Sequence, residues 1–324
     1  MKVLVTGGAG YIGSVATELL LDKGFEVSVF DNLERGHKEA IDKRAKFIRG
    51  DLRNSDNILK AMKKTKPDAV MHFAAYALVP ESMENPGMYF QNNVKGGVNL
   101  VDAMDKVGVG RIVFSSTCAT YGQPDRVPIT EDTVQRPTNP YGESKLIFEK
   151  TLLWYNKLKG MTTVFLRYFN ACGATKKFGE DHDPETHIIP IVLQVALGKR
   201  KGLKIYGNDY PTPDGTCDRD YIHIVDLAQA HMLALKTKQS GPYNIGNGTG
   251  YSVKEVVDVA RKITGHSIPV EMAPRREGDP AKLIAAPQKA RKILGWKPRM
   301  DDLESIIESA WLWHKAHPNG YGAE

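Results

Sequence analysis

This sequence of 324 residues has few cysteines, no long apolar run and no strong excess of one charge. The three cysteines, Cys118, Cys172 and Cys217, are too few and too irregularly spaced for a disulfide framework or a cysteine zinc site. No apolar run approaches the roughly 18–20 residues of a membrane-spanning helix, and glycines follow the first apolar residues too soon for a signal peptide. We therefore expect a cytoplasmic protein that does not bind a membrane.

The charges are nearly balanced. The sequence has 44 basic and 38 acidic residues, a net charge of +6. This excess suits an anionic small molecule but is too small to indicate nucleic-acid binding. A hydrophobic content of 41% with 25% charged residues is typical of a globular protein and excludes a disordered or fibrous chain.

Short β-rich runs alternate with helical patterns in the first half of the chain. The predicted strands are residues 2–6, 26–31, 46–49, 69–72, 111–115 and 162–167. The predicted helices are residues 11–23, 56–64, 88–107 and 141–159. This alternation predicts an α/β fold with a doubly wound, Rossmann-like parallel sheet.

The alternation ends after about residue 170. A polar stretch at 175–186 is followed by a helical pattern at 188–198, and a last helix is predicted at 303–317. We expect a dinucleotide-binding domain over residues 1–175, to which part of 220–250 returns. A smaller α+β substrate domain would then cover residues 176–324, with the ligand between the two.

A glycine-rich segment connects the first predicted strand to the first predicted helix. Gly8, Gly10 and Gly13 form a GxGxxG pattern, which in this context indicates a dinucleotide-binding loop. The glycines allow a tight turn, and the helix N-terminus attracts the pyrophosphate. Asp31, 18 residues after Gly13, can bind the ribose hydroxyls and repel a 2′-phosphate, which favours NAD over NADP. The nearby Arg35 leaves NADP open.

Other cofactor-binding residues are predicted at the carboxyl ends of the strands, where ligands bind in such sheets. With the glycine-rich segment, the predicted set comprises Gly7, Gly10, Tyr11, Ile12, Gly13, Asp31, Asp51, Leu52, Phe73, Ala74 and Ala75.

Tyr141 and Lys145 are four residues apart on one predicted helix and so share a face. A tyrosine with its ordinary pKa of about 10 is a poor base near neutral pH. A nearby ammonium group and a positively charged nicotinamide ring would lower that pKa, so that Tyr141 could take a proton from a hydroxyl group. The hydroxyl of Thr117, after the fifth strand, could bind the same reacting oxygen.

Together these motifs resemble those of the extended short-chain dehydrogenase/reductase family and, within it, the UDP-sugar 4-epimerases acting on UDP-glucose and UDP-galactose. Other stretches carry the same resemblance, from the first residues to the last few: residues 72–75, 92–94, 166–170, 206–212, 219–223, 274–279 and 313–321.

The resemblance implies a reaction. Tyr141 removes the proton of the sugar 4-hydroxyl, a tightly bound NAD takes hydride from C4, and the 4-keto sugar rotates before hydride returns to its other face. It adds Asn32, Asn92, Ser115, Tyr141, Lys145 and Tyr168 to the cofactor-binding residues. The substrate-binding residues that it implies are Thr117, Tyr141, Asn170, His187, Tyr206, Arg219, Arg276 and Asp279.

The resemblance also bears on substrate choice and assembly. Leu283 stands where residue size governs access of N-acetylated sugars, and His187 stands where some members have an asparagine that contacts the substrate. Family members form homodimers through two helices, which correspond here to residues 88–107 and 141–159.

Two alternatives stay open, and a third is set aside. The first is a 4-epimerase of another UDP-sugar: UDP-N-acetylglucosamine, UDP-glucuronate or a UDP-pentose. A non-catalytic NAD-binding regulator is the second, although it would not need the Tyr141–Lys145 pair. The third is a metal enzyme, suggested by His182 between Asp181 and Asp183. We interpret that segment as solvated loop charge and predict no metal site.

Overall fold

The computed structural model describes residues 1–276 and 279–322. Its main feature is a seven-stranded sheet in the order β10-β6-β5-β4-β1-β2-β3, in which every neighbouring pair is parallel. The strands are β1 (Lys2–Thr6), β2 (Glu26–Asp31), β3 (Lys46–Arg49), β4 (Ala69–His72), β5 (Arg111–Ser115), β6 (Thr162–Tyr168) and β10 (Gly241–Ile245).

Helices cover both faces of this sheet. They are α1 (Tyr11–Asp22), α2 (Ser55–Thr65), α5 (Gly96–Val107), α6 (Pro140–Lys159) and α8 (Ile224–Ala234). Two short helices, α3 (Val79–Glu84) and α4 (Pro86–Tyr89), pack against α6. Successive residues of β1 point to opposite faces: Val3 and Val5 belong to a core shared with α1 and α8, whereas Leu4 belongs to a core shared with α2, α5 and α6. Because both faces are buried, β1 is apolar without alternation.

Smaller sheets and a third core follow in the chain. β7 (Asn170–Cys172), β9 (Asp218–His223), β11 (Gly250–Ser252) and β13 (Lys282–Leu283) form one sheet, and β8 (Leu203–Tyr206) pairs with β12 (Val270–Ala273). The third core joins helices α7 (Ile188–Ala196), α9 (Val253–Thr264) and α10 (Leu303–Ala316).

The predicted fold class, a doubly wound parallel sheet with a smaller α+β part, is confirmed. The chain returns to the large sheet through α8 and β10 after leaving it at β6. The domain boundary near residue 175 stays a prediction. None of the helices within residues 1–276 and 279–322 combines the length and apolar character that a membrane crossing requires.

The one helix predicted at 88–107 is built differently. The chain becomes helical at Pro86, passes through a π-helical segment at Phe90–Lys95 and continues as α5. Such π-helical segments often lie at functional sites, and this one carries Asn92 and Asn93. The buried Asn93 side chain accepts a hydrogen bond from the Tyr76 amide at 2.9 Å and donates to Ser144 Oγ at 2.9 Å.

Candidate functional site

A cleft of about 1230 Å³ runs along the carboxyl ends of the parallel strands. Residues at or just after the ends of β1, β2, β4, β5 and β6 line it, as expected for a ligand site in a doubly wound sheet. The other wall comes from the second half of the chain. It includes residues of the segment 180–187, together with Arg276, Asp279 and Pro280 between β12 and β13.

The glycine-rich loop has a conformation that its glycines make possible. Gly7 has a φ of +75°, and a Cβ on this residue would lie 2.4 Å from the Ala74 nitrogen. A Cβ on Gly13 would lie 2.1 Å from the Gly7 carbonyl oxygen. The first turn of α1 therefore approaches the loop closely, with its amide groups directed at the cleft, which is the arrangement that binds a pyrophosphate.

Asp31 is buried at the end of β2. Its carboxylate accepts hydrogen bonds from the Ala9 amide at 3.0 Å and the Leu33 amide at 2.8 Å. Burial raises the pKa of Asp31, and these amides act in the opposite direction. The carboxylate thus links the glycine-rich loop to the loop after β2.

Arg35 is the cation that kept NADP as an alternative cofactor, and it is paired with a carboxylate. Its guanidinium forms an ion pair with Glu81 and lies 5.5 Å from the centre of the Tyr76 ring. Glu34 also lines the cleft and accepts a hydrogen bond from the Tyr76 hydroxyl at 2.5 Å. Glu34 is itself paired with Arg53 at 2.6 Å. With Asp31 at this end of the cleft and Arg35 paired with Glu81, the site favours NAD over NADP.

The structure brings together all the predicted cofactor-binding residues on the wall of this cleft. They are Gly7, Gly10, Tyr11, Ile12, Gly13, Asp31, Asn32, Asp51, Leu52, Phe73, Ala74, Ala75, Asn92, Ser115, Tyr141, Lys145 and Tyr168. Their assignment as cofactor ligands stays a prediction.

Local signals place Tyr141 next to Thr117. Helix α6 begins at Pro140, and the Asn139 side chain caps it by accepting from the Gly142 amide at 2.8 Å. Thr117 caps a short 3₁₀ turn, and its hydroxyl accepts from the Ala119 amide at 3.1 Å. A Cβ on Gly142 would lie 2.6 Å from the Ala119 carbonyl oxygen, so only glycine permits this close contact between α6 and the turn.

Lys145 lies deeper than Tyr141 and is held by the sheet. Its ammonium group donates a hydrogen bond to the Ser115 carbonyl at 2.9 Å. The same nitrogen lies 4.9 Å from the centre of the Phe114 ring and 5.9 Å from the centre of the Tyr141 ring. Burial lowers the pKa of Lys145 to about 7, while the Glu149 carboxylate acts in the opposite direction.

The chain by itself does not lower the Tyr141 pKa, so the expected lowering by Lys145 together with a positively charged nicotinamide ring stays a prediction for the cofactor-bound site. Burial raises the pKa of Tyr141 well above its ordinary value, Tyr168 adds to this effect, and Thr117 acts in the opposite direction. The physical reason is that the phenol is buried, whereas the lysine ammonium is directed at a backbone carbonyl of β5.

A buried ion pair lies beside Thr117 and Lys145. Arg167 on β6 and Glu149 on α6 are both almost fully buried and approach to 2.6 Å. Glu149 also accepts from Ser116 Oγ at 2.5 Å, next to Thr117. Sequence reasoning did not identify Glu149, although it follows Lys145 by four residues and so shares its helix face.

The predicted substrate residues fall into two groups. Asn170, His187, Arg276 and Asp279 line the cleft, together with Leu283, whereas Tyr206 and Arg219 stand behind its wall. The Arg276 guanidinium lies 4.0 Å from the Tyr206 ring centre, and Arg219 donates to Asp279 Oδ1 at 2.9 Å. Within the motif at 274–279, residues 277 and 278 lie outside the described residues.

His187 is not an isolated side chain, because it packs with Glu180, His182 and Glu185. The interpretation as solvated charge concerned Asp181, His182 and Asp183, of which Asp183 is exposed, whereas the neighbouring Glu180 and Glu185 are buried. Burial would lower the pKa of His182, but Glu180 and Glu185 outweigh it and raise that pKa to about 9. The signal that sequence reasoning missed is the repeated Glu-x-His spacing at 180–182 and 185–187.

Comparison with known proteins agrees with this geometry. The model of the NAD dependent epimerase/dehydratase family matches residues 3–246. A UDP-glucose 4-epimerase of Lacticaseibacillus casei is 54% identical over 328 residues, which cover 99% of this chain and 99% of that protein.

Solved structures agree as well. A crystal structure of a UDP-glucose 4-epimerase superposes with a TM-score of 0.97 at 52% identity and covers 100% of both chains. The UDP-glucose 4-epimerase of Bifidobacterium longum, solved in complex with NAD⁺ and UDP, superposes with a TM-score of 0.94 at 39% identity, covering 99% of this chain and 100% of that chain.

Proposed function

This chain belongs to the NAD dependent epimerase/dehydratase family, and on that premise we propose that it interconverts UDP-galactose and UDP-glucose. It is an NAD-dependent enzyme of the epimerase type. The observation that carries the proposal is that one cleft is lined by the glycine-rich loop, by Tyr141 with Thr117 and Lys145, and by Arg276 with Asp279.

The residues present fit NAD. A Cβ at Gly7 or Gly13 would collide with the backbone of Ala74 or Gly7, so these two glycines permit the close backbone packing of a pyrophosphate-binding loop. Asp31, buried at the end of β2, supplies the carboxylate that recognises ribose hydroxyls. When bound, NAD supplies a hydride acceptor for the sugar C4, the hydride that is returned, and a positively charged ring.

Tyr141 is the proposed base. It takes the proton of the sugar 4-hydroxyl and later returns it, and the Thr117 hydroxyl binds the same oxygen. Since burial raises the pKa of Tyr141 in the chain by itself, the phenolate needs additional positive charge in the cleft. The Lys145 ammonium donates to the Ser115 carbonyl and lies 5.9 Å from the Tyr141 ring centre, and we assign to it the orientation of the cofactor ribose.

The nucleotide part of the substrate is proposed to bind at the other wall. Arg276, stacked on Tyr206, faces the cleft as a cation suited to a diphosphate. Arg219 holds Asp279 in place, and Asn170 is anchored by donating to the Asp220 carbonyl at 3.0 Å. Because binding energy comes from the nucleotide, the sugar is free to rotate between the two hydride transfers.

The sugar itself is selected around Leu283. This residue lies on β13 beside Arg219 of β9 and lines the cleft. UDP-N-acetylglucosamine, UDP-glucuronate and UDP-pentoses remain the alternative substrates, since they differ from UDP-glucose only at the sugar.

Replacing the Tyr141 hydroxyl tests the assignment as an enzyme. Tyr141→Phe should reduce the turnover of UDP-galactose by on the order of 10²–10⁴-fold, while UDP binding measured by calorimetry stays unchanged. Tyr155→Phe is the matched control, because Tyr155 lies on the same helix outside the cleft and binds Asp102. Equal turnover in both variants would contradict the role of Tyr141 as the base, whereas absence of turnover in the unaltered protein would support a non-catalytic regulator instead.

We further propose that residues 1–175, with the returning α8 and β10, hold the cofactor and that residues 176–324 hold the UDP-sugar. The three cysteines are free thiols, which is typical of a reducing compartment and supports a cytoplasmic location. A homodimer through α5 and α6 is proposed, supported by the exposed apolar side chains of Leu153, Trp154 and Leu158 on α6.

A further inference from the structure

Two histidines and two glutamates meet in one short segment of the chain. Glu180, His182, Glu185 and His187 lie between β7 and α7, and each directs one ligand atom toward the others, all within 4.8 Å. The side chains of Glu180 and Glu185 are only 5% and 3% exposed, so two carboxylates are held together away from water. The proposed epimerisation needs none of Glu180, His182 and Glu185.

Both imidazole rings direct the same nitrogen at the same carboxylates. His187 Nδ1 lies 2.9 Å from Glu180 and 3.0 Å from Glu185. His182 Nδ1 lies 3.2 Å from Glu180 and 3.7 Å from Glu185. Although it lies this close to two carboxylates, the buried His182 Nδ1 atom makes no hydrogen bond of normal geometry to any of the described residues, which is unusual for a buried polar atom in a folded protein.

These separations match the edges of a metal coordination tetrahedron. Zinc binds histidine nitrogen and carboxylate oxygen at about 2.0–2.2 Å, so neighbouring ligand atoms of a tetrahedral site lie roughly 3.3–3.6 Å apart. The four nitrogen–oxygen distances, from 2.9 to 3.7 Å, bracket that value, with Glu185 presenting Oε1 to His187 and Oε2 to His182. With one atom taken from each residue, all separations are within 4.8 Å, so a bound ion would draw the ligands slightly closer together. Two imidazoles with two carboxylates also form a ligand set that suits zinc better than magnesium or calcium, which prefer oxygen alone.

We propose that Glu180, His182, Glu185 and His187 form a zinc-binding site. With four protein ligands the site is closed, as in structural zinc sites, and no position is left for a reacting molecule. The second observation that supports it, besides the cluster itself, is the buried His182 nitrogen, which faces the two carboxylates but forms no hydrogen bond of normal geometry within the part of the chain that the structure describes.

The site would fix the segment that forms one wall of the cofactor cleft. The His182 ring packs edge-on against Tyr11 of the glycine-rich segment at 6.2 Å. Asp181, between two ligands, accepts from the Tyr321 amide at 2.8 Å, and its carbonyl lies 3.0 Å from His37 Nε2. A zinc ion would therefore fasten a segment that contacts α1, the loop after β2 and the C-terminal residues.

Zinc binding is measured without turnover, so its failure is distinct from failure of the epimerase assignment. Untagged protein is treated with a chelator, dialysed and titrated with Zn²⁺ in competition with a chromophoric chelator. We expect one zinc ion per chain and a rise in the thermal unfolding temperature. Cobalt(II) in place of zinc should give the intense visible absorption of a tetrahedral site.

Two variants and one control make the test specific. Glu185→Gln keeps the side-chain size, and His182→Ala removes a partly exposed ring; each should weaken zinc binding by more than about 100-fold, since loss of an outer-shell partner alone costs about 10–100-fold. His266→Ala, at an exposed position outside the cluster, should bind zinc as the unaltered protein does.

Circular dichroism checks that each variant is folded. If His182→Ala fails to fold, the isosteric Glu185→Gln decides. Absence of competitive zinc binding, or binding that survives Glu185→Gln, would overturn the proposal and leave the four residues as a cluster of imidazolium–carboxylate ion pairs without metal.

Discussion

At the scale of single residues, the site depends on buried charged groups that the chain pairs with one another. The Nε atom of Arg167 donates to both carboxylate oxygens of Glu149, at 3.0 and 3.2 Å. The Nη1 atom of Arg167 donates to the Tyr121 hydroxyl at 2.8 Å. Glu149 also raises the pKa of Lys145 against the effect of burial. The same carboxylate therefore holds α6 against β6 and favours the protonated form of Lys145, a predicted active-site residue.

Removing the charge of Glu149 should be costly. Glu149→Gln leaves the Arg167 guanidinium buried without a carboxylate, and we expect the free energy of unfolding to fall by about 3–5 kcal/mol. Urea denaturation measures this change. The matched control is Asp105→Asn, which breaks the exposed Lys159–Asp105 pair of 3.0 Å and should cost at most about 1 kcal/mol. Similar small losses in both variants would contradict this account of the buried pair.

The sequence was informative about residues whose chemistry depends on local spacing. The GxGxxG loop, Asp31 and the Tyr141–Lys145 pair are each recognisable within a few positions, and all of them line one cleft. It did not reveal Glu149 or Glu180, because a buried carboxylate is identified by its partner from a distant strand or loop. Nor did spacing predict the raised pKa of Tyr141, since burial is a property of the assembled fold.

At the scale of secondary-structure elements, a glycine sets how closely α6 approaches the turn that carries Thr117. Gly142 lies in the first turn of α6, where alanine would ordinarily be the better helix former by about 1 kcal/mol. A Cβ there would lie 2.6 Å from the Ala119 carbonyl oxygen and 3.3 Å from Pro137. An alanine would therefore push the helix, and Tyr141 with it, away from Thr117.

Gly142→Ala should impair turnover more than it impairs folding. A displacement of the base by a fraction of an ångström to 1 Å should reduce kcat by on the order of 10–100-fold, measured with UDP-galactose. Gly87→Ala serves as the control, because Gly87 is also helical but a Cβ there meets nothing within 4 Å. An unchanged kcat in Gly142→Ala would contradict the close-contact argument.

Element bounds in the first half of the chain could be predicted well from the sequence. Five of the strands in the large sheet, β1 to β5, have the predicted bounds, because their short β-rich runs are separated by clear turn and helix signals. The π-helical segment at Phe90–Lys95 was not predictable, since its hydrogen bonds depend on Asn93 meeting Tyr76 and Ser144. The short strand β7 was missed as well, because three residues carry no periodicity.

At the scale of the whole molecule, one apolar surface stands out on α6. Trp154 and Leu158 are 58% and 69% exposed, and with Leu153 they form a patch on the last turns of that helix. Burial of such a patch on a second copy of the chain would stabilise a dimer, since each large apolar side chain contributes about 1.5–3 kcal/mol when fully buried.

The dimer proposal predicts a specific effect of charge on this patch. Trp154→Glu should convert the protein from dimer to monomer in sedimentation equilibrium, because a carboxylate would be desolvated at the interface. Leu312→Glu is the control: Leu312 on α10 is 57% exposed but lies outside α5 and α6, so its dimer should persist. A wild-type chain that sediments as a monomer would refute the proposed assembly.

The most direct test of the account as a whole is to incubate the purified protein, without added NAD, with UDP-galactose and to assay for UDP-glucose. UDP-N-acetylgalactosamine and UDP-glucuronate are assayed in parallel, so that the rate ratios report on the pocket around Leu283. The account predicts conversion of UDP-galactose by the cofactor that the protein carries, and conversion only after NAD is added would remove the claim of a tightly bound cofactor. No conversion even with NAD supplied would contradict the proposed activity on this sugar.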